Sequence, residues 1–96
     1  MKYIRMNTGR EIYRLPLIIV ATDRAEFYAG HDGFEKGSKE WKEEIDFIME
    51  DDYEGIDWLM NNMNLSEVKP FMEKVEDSTQ EDDEWFYDSD NFELTK

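Results

Sequence analysis

Charge is divided unevenly along this chain. Residues 1–34 carry five basic and four acidic side chains, a net of +1, whereas residues 35–96 carry six basic and 21 acidic, a net of −15. Like charges three or four residues apart on a helix cost a few tenths of a kcal/mol per pair. An acidic segment of this kind therefore folds only if its apolar face is buried and its carboxylates meet solvent or cations. Length confines the result to one small domain: 96 residues exclude an enzyme built from a cofactor fold plus a substrate fold. With 40% hydrophobic and 15% aromatic residues there is enough apolar material for a thin core. The absence of cysteine excludes disulfides, thiolate metal sites and a cysteine nucleophile.

The first element reads as a β-hairpin. Ile4 and Met6 alternate with Tyr3, Arg5 and Asn7, Asn7-Thr8-Gly9 supplies a turn, and Glu11-Ile12-Tyr13-Arg14-Leu15 alternates again. Gly9 provides the positive φ of a tight turn. Pro16 ends the second strand, because it has no N–H for a ladder, and suits the first turn of a helix. Residues 17–20 are open to two readings. Leu17-Ile18-Ile19-Val20 has strand-like branching, but Leu17, Val20, Ala21, Arg24, Phe27 and Tyr28 follow helical spacing. The favoured expectation is a helix over 16–29 capped by Gly30.

After a loop from His31 to Gly37, Ser38 N-caps a second helix with Trp41, Ile45, Ile48 and Met49 inward and Glu40, Glu43, Glu44 and Glu50 outward. A break at Asp51-Asp52 precedes a third helix with Tyr53, Ile56, Leu59, Met60 and Met63 inward and Glu54 and Asp57 outward. Gly55 is expected to weaken its first turn by about 1 kcal/mol relative to Ala. Ser66-Glu67 opens a fourth helix through about Val75, in which Pro70 is either a kink or the true first residue. Beyond Glu76 the chain is acidic, with Trp85-Phe86-Tyr87 and Phe92 set among carboxylates. These aromatics either pack back, adding an edge strand beside the hairpin, or form a docking motif. The fold expected is α+β: a hairpin against about four short helices over residues 1–76, then an acidic-aromatic tail over 77–96.

Asp23-Arg24-Ala25-Glu26-Phe27-Tyr28-Ala29 and Glu50-Asp51-Asp52-Tyr53-Glu54-Gly55-Ile56-Asp57-Trp58-Leu59-Met60-Asn61-Asn62-Met63 resemble stretches of small acidic proteins of unassigned function from tailed bacteriophages. The resemblance covers roughly residues 1–75 and implies a phage origin and work in the host cytoplasm. It carries no catalytic residues.

The residues themselves argue against catalysis. His31 is the single histidine, beside Asp32 in a glycine-flanked loop without a nucleophile motif. Asp77, Thr79, Glu81 and Asp88 imitate part of a calcium loop, but Asp82 stands where its glycine is required. No metal, cofactor or enzymatic activity is expected. There is no secretory h-region at the start and no apolar run near the roughly 20 residues of a membrane span, so a soluble cytoplasmic protein is expected. The acidity disfavours direct contact with nucleic acid or membrane.

Partner binding is the expected function. Glu40, Glu43, Glu44 and Glu50, extended by Asp51, Asp52, Glu54 and Asp57, would form a row approaching the charge density of a phosphate backbone. Such a row suits the basic groove of a host nuclease, restriction or CRISPR component, or transcription factor. An alternative module would dock through Trp85, Phe86 and Tyr87. Against this stands ordinary solvation of charged surface helices, with some partner bound through another surface. Arg24, on the inward side of the first helix among Val20, Phe27 and Tyr28, is expected to pair with a carboxylate of the acidic part.

Overall fold

The computed structural model describes residues 2–8, 11–51, 53–77 and 92–95. Strands β1 (Tyr3–Asn7) and β2 (Glu11–Pro16) pair antiparallel, with Ile4 opposite Leu15, Arg5 opposite Arg14 and Met6 opposite Tyr13. Side chains alternate across a strand, so Ile4, Met6 and Leu15 share one face, where they are fully buried, and the two arginines share the other. Thr8 closes the hairpin. Its hydroxyl donates to the Glu11 carbonyl at 2.8 Å and accepts from the Glu11 N–H at 3.1 Å. The turn position assigned to Gly9 lies outside the described residues.

Helix α1 (Leu17–Asp32) settles the two readings of residues 17–20 in favour of helix. The Leu17 N–H bonds to the Lys2 carbonyl at 2.9 Å, which ties the helix start to the hairpin. The helix runs past Gly30, the expected cap, to Gly33, whose φ of 81° and N–H bond to Ala29 form the true C-cap. Helix α2 (Lys39–Glu50) starts where Ser38 predicts: its hydroxyl accepts from the Trp41 N–H at 3.3 Å. Helix α3 (Glu54–Asn62) is opened by Asp51, whose carboxylate accepts from the Glu54 and Tyr53 N–H groups, each at 2.7 Å. Those two bonds, Glu54 first, hold the Asp51 carboxyl below its ordinary 3.8. Tyr53, expected inward, is 53% exposed, because it stands before the first helical turn. Trp58 takes the buried position instead.

The fourth helix is shorter than expected. Helix α4 spans Leu65–Val68, and a 3-10 turn covers Lys69–Phe71. Pro70 has no N–H to continue the ladder, and Glu73–Asp77 is a strand, β3, rather than helix. The start of α4 is Asn64, in a capping box with Glu67. Strand β4 (Phe92–Thr95) pairs with β1, so the tail does contribute an edge strand. The sheet order among the described residues is β3-β2-β1-β4, antiparallel throughout. This is the strand order of a Greek key with the helices inserted between β2 and β3. Asp77 pairs with Glu11 and Phe92 with Met6. Trp85, Phe86 and Tyr87 lie outside the described residues.

Charge recruits β3. All five of its side chains are exposed, so burial contributes little. Arg5 and Arg14 sit directly opposite each other, a repulsive arrangement alone. β3 supplies their counter-charges: Glu73 accepts from Arg14 Nε and Nη2 at 3.1 and 3.0 Å, and Glu76 pairs with Arg5. Lys74 lies 2.8 Å from Asp77 and 3.6 Å from Glu11, and these carboxylates, Asp77 foremost, raise its ammonium above the ordinary 10.5.

One core joins sheet and helices. Ile4, Met6 and Leu15 of the hairpin meet Leu17 and Val20 of α1, Ile48 of α2, Ile56 and Leu59 of α3, Val68 of α4 and Phe92 of β4. Fully buried aliphatic side chains of this kind contribute about 1.5–3 kcal/mol each. Gly55 lies where α3 crosses this core: a Cβ there would stand 2.6 Å from Leu17 Cδ1 and 3.3 Å from Ile48 Cγ2. It is a close-approach glycine, not merely a weak helix former.

The two helical glycines should therefore respond oppositely to alanine. Gly30→Ala has open space around it and should stabilise by about 1 kcal/mol. Gly55→Ala gains the same propensity but overpacks a closed site at a cost of about 1–3 kcal/mol, so its urea midpoint should fall. Phe92, 6% exposed, should cost about 3 kcal/mol when replaced by alanine; an unchanged midpoint would place β4 outside the cooperative fold.

Candidate functional site

Arg24 organises the surface where α1, α2 and α3 meet. Placed at the middle of α1, its guanidinium pairs with Glu44 of α2. It also lies 4.7 Å from the Tyr28 ring centroid, 4.8 Å from Phe47 and 6.0 Å from Trp58. The side chains of Arg24 and Glu44 are 15% and 29% exposed, so the pair is largely withdrawn from water and screened less than a surface pair. The expected bridge between the two parts of the chain is present. Asp23, one residue earlier, accepts from the Trp58 indole N–H at 2.9 Å and fastens α3 to the same helix.

Carboxylates are segregated around this junction. On the sheet, Glu11, Glu73, Glu76 and Asp77 each face an arginine or lysine. Around the distal end of the α1–α2 hairpin, Asp32, Glu35, Glu40, Glu43 and Glu44 line one open concavity of about 550 Å³ with Phe34 and Ser38. Of these five, Glu44 is held by Arg24, Glu43 lies 3.9 Å from Lys39, and Asp32 Oδ1 lies 2.9 Å from His31 Nδ1. Glu35 and Glu40 have no cationic partner among the described residues. Lys36 and Lys42 lie on the opposite flank, lining a groove with Ile18, Trp41, Ile45 and Asp46, and Lys36 stands 5.8 Å over the Trp41 ring. The α1–α2 hairpin thus has one flank whose charged lining is all acidic and another that sets two lysines beside one carboxylate.

The expected row of partner-binding residues is only partly continuous. Glu40, Glu43, Glu50 and Glu54 are exposed. Glu44 and Asp51 have internal duties, to Arg24 and to the start of α3. Asp57 is half-buried and accepts from the Asn61 amide at 3.0 Å. Asp52 lies outside the described residues. Asp32 and Glu35, which line the acidic concavity, were missed. Asp46, three residues after Glu43 and four before Glu50, is exposed but lines the groove of Lys36 and Lys42. Phe27, expected inward, is 55% exposed, and Phe47 is 47% exposed.

His31 is exposed and its ring lies nearly parallel to Phe27, with centroids 6.2 Å apart. No group of three or more His, Asp or Glu side chains among the described residues is placed to hold a metal ion. No helix among them is long and apolar enough to cross a membrane. No protein family, curated protein or solved structure matches this chain.

Removing Arg24 leaves Glu44 partly buried without its counter-ion and strips a cation from three rings. Arg24→Ala should cost more than the ~1 kcal/mol of an exposed pair and less than the ~3–5 kcal/mol of a fully buried one. A double-mutant cycle with Glu44→Gln should return a favourable coupling. Independent, additive effects would show that the pair does not hold α1 and α2 together.

Proposed function

We propose that this protein is a non-enzymatic binder, an inhibitor or regulator of the phage type, that docks its acidic hairpin flank into the basic groove of a nucleic-acid-binding host protein. The observation that supports the reading best is the gathering of Asp32, Glu35, Glu40, Glu43 and Glu44 on one concavity while Lys36 and Lys42, with the single carboxylate of Asp46, line the other flank. Uniform solvation does not require that separation. Among the described residues, Glu11, Glu73, Glu76 and Asp77 of the sheet are matched by cations, whereas Glu35 and Glu40 of the helical flank are not. A basic groove releases condensed counter-ions from nucleic acid when it binds phosphates. A carboxylate flank offers the same groove a competing polyanion, with steering that strengthens at low salt.

Host-lysate capture, followed by competition, tests this reading. The captured protein should be displaced by duplex DNA, and affinity should fall steeply as salt rises from about 0.05 to 0.2 M. A partner indifferent to both DNA and salt would contradict charge mimicry.

A further inference from the structure

Two phenylalanines, one on α1 and one on α2, are exposed beside Arg24 and Trp58. Phe47 is 47% exposed and Phe27 is 55% exposed. They are not isolated: Arg24 lies 4.8 Å from the Phe47 centroid and 6.0 Å from that of Trp58, and the Trp58 ring is 5.4 Å from Phe27. The two rings therefore flank a rigid platform of Arg24 and Trp58, both held by carboxylates of the protein itself. Around Phe47, the helix-neighbour positions three and four residues away on both sides are Glu43, Glu44, Glu50 and Asp51. Phe47 is thus bordered along the helix by carboxylates, of which Glu43 and Glu50 are exposed while Glu44 holds Arg24 and Asp51 opens α3.

An exposed apolar anchor inside a ring of carboxylates selects its complement. A duplex or single strand brings phosphates against that ring and is repelled, as are anionic headgroups. A second copy of this chain would set acidic rim against acidic rim. What fits is an apolar anchor bordered by lysine or arginine. We propose that Phe27 and Phe47 form the docking centre for a basic amphipathic helix of the partner, its apolar face on the two rings and its cations against Glu43 and Glu50. Hot spots of this type place an aromatic contact at the centre and charges at the rim. The assignment rests on the binding function proposed above and adds to it where affinity resides: in the rings, with the carboxylates setting orientation and rate.

Two synthetic peptides of about 18 residues made from leucine and lysine test it. One has leucines on a single helical face, and the other has the same composition scrambled. Titrations are followed by calorimetry at about 0.15 M salt, with melting curves recorded for every variant. The amphipathic peptide should bind about tenfold more tightly than the scramble. Phe47→Ala and Phe27→Ala should each remove most of that preference, and Phe47→Leu, which keeps an apolar anchor, should retain it. Equal binding of both peptides, unaffected by the phenylalanine variants, would overturn the docking centre and leave the electrostatic reading standing. Binding of neither peptide would overturn both.

Discussion

Of the arginine–carboxylate pairs that join the weakly basic and strongly acidic parts of this protein among the described residues, Arg24–Glu44 is the most withdrawn from water. Arg24 is offered by α1 at the point where α2 and α3 converge, and its charge is met by Glu44 while its flat faces meet Tyr28, Phe47 and Trp58. A planar cation suits such a place better than an ammonium, because it can donate in its plane and stack out of it. With Glu44 turned toward Arg24, the rest of α2 has its orientation set. Trp41 and Ile48 go inward, Glu40 and Glu43 go outward, and Lys42 goes to the far side. Asp23 does the equivalent for α3 through the Trp58 indole. The acidic flank is a consequence of this lock as much as of composition.

The sheet solves a related problem with the opposite sign. Two arginines face each other across β1 and β2, and the acidic strand β3 joins the edge because they do. The result is an edge whose side chains are nearly all charged, which discourages a further strand from adding there. On the sheet, Glu11, Glu73, Glu76 and Asp77 face cations that help hold the fold. On the helical flank, Glu35 and Glu40 are left without one among the described residues.

Much of this was legible in sequence where the signal is local. Alternation marked the hairpin, Ser38 marked the start of α2, and the helical position of Arg24 marked an ion pair with the acidic part. What was missed depends on partners distant in sequence. Glu-Lys-Val-Glu-Asp has little strand propensity, and β3 forms because Arg5 and Arg14 lie some sixty to seventy residues earlier. Gly55 looked like a flaw in a helix until Leu17 and Ile48 were seen against it. Gly30 looked like a cap, but the turn that leaves the helix is completed three residues later at Gly33. Phe27 keeps helical spacing with the core residues and still faces outward, since Trp58 fills the space beneath it. In the acidic row, identity alone could not separate carboxylates that do structural work, Glu44 and Asp51, from those left free.

The central claim is positional: negative charge acts from the hairpin flank and not through the total of −14. The direct measurement is the slope of log affinity against log salt for a poly-lysine probe, compared between two triple variants of equal net charge. One carries Glu40→Gln, Glu43→Gln and Glu50→Gln on α2; the other carries Glu73→Gln, Glu76→Gln and Glu93→Gln on the sheet. The slope should flatten markedly for the hairpin set and stay close to that of the unmodified protein for the sheet set. Equal flattening in both would mean that bulk charge, not its placement, governs binding.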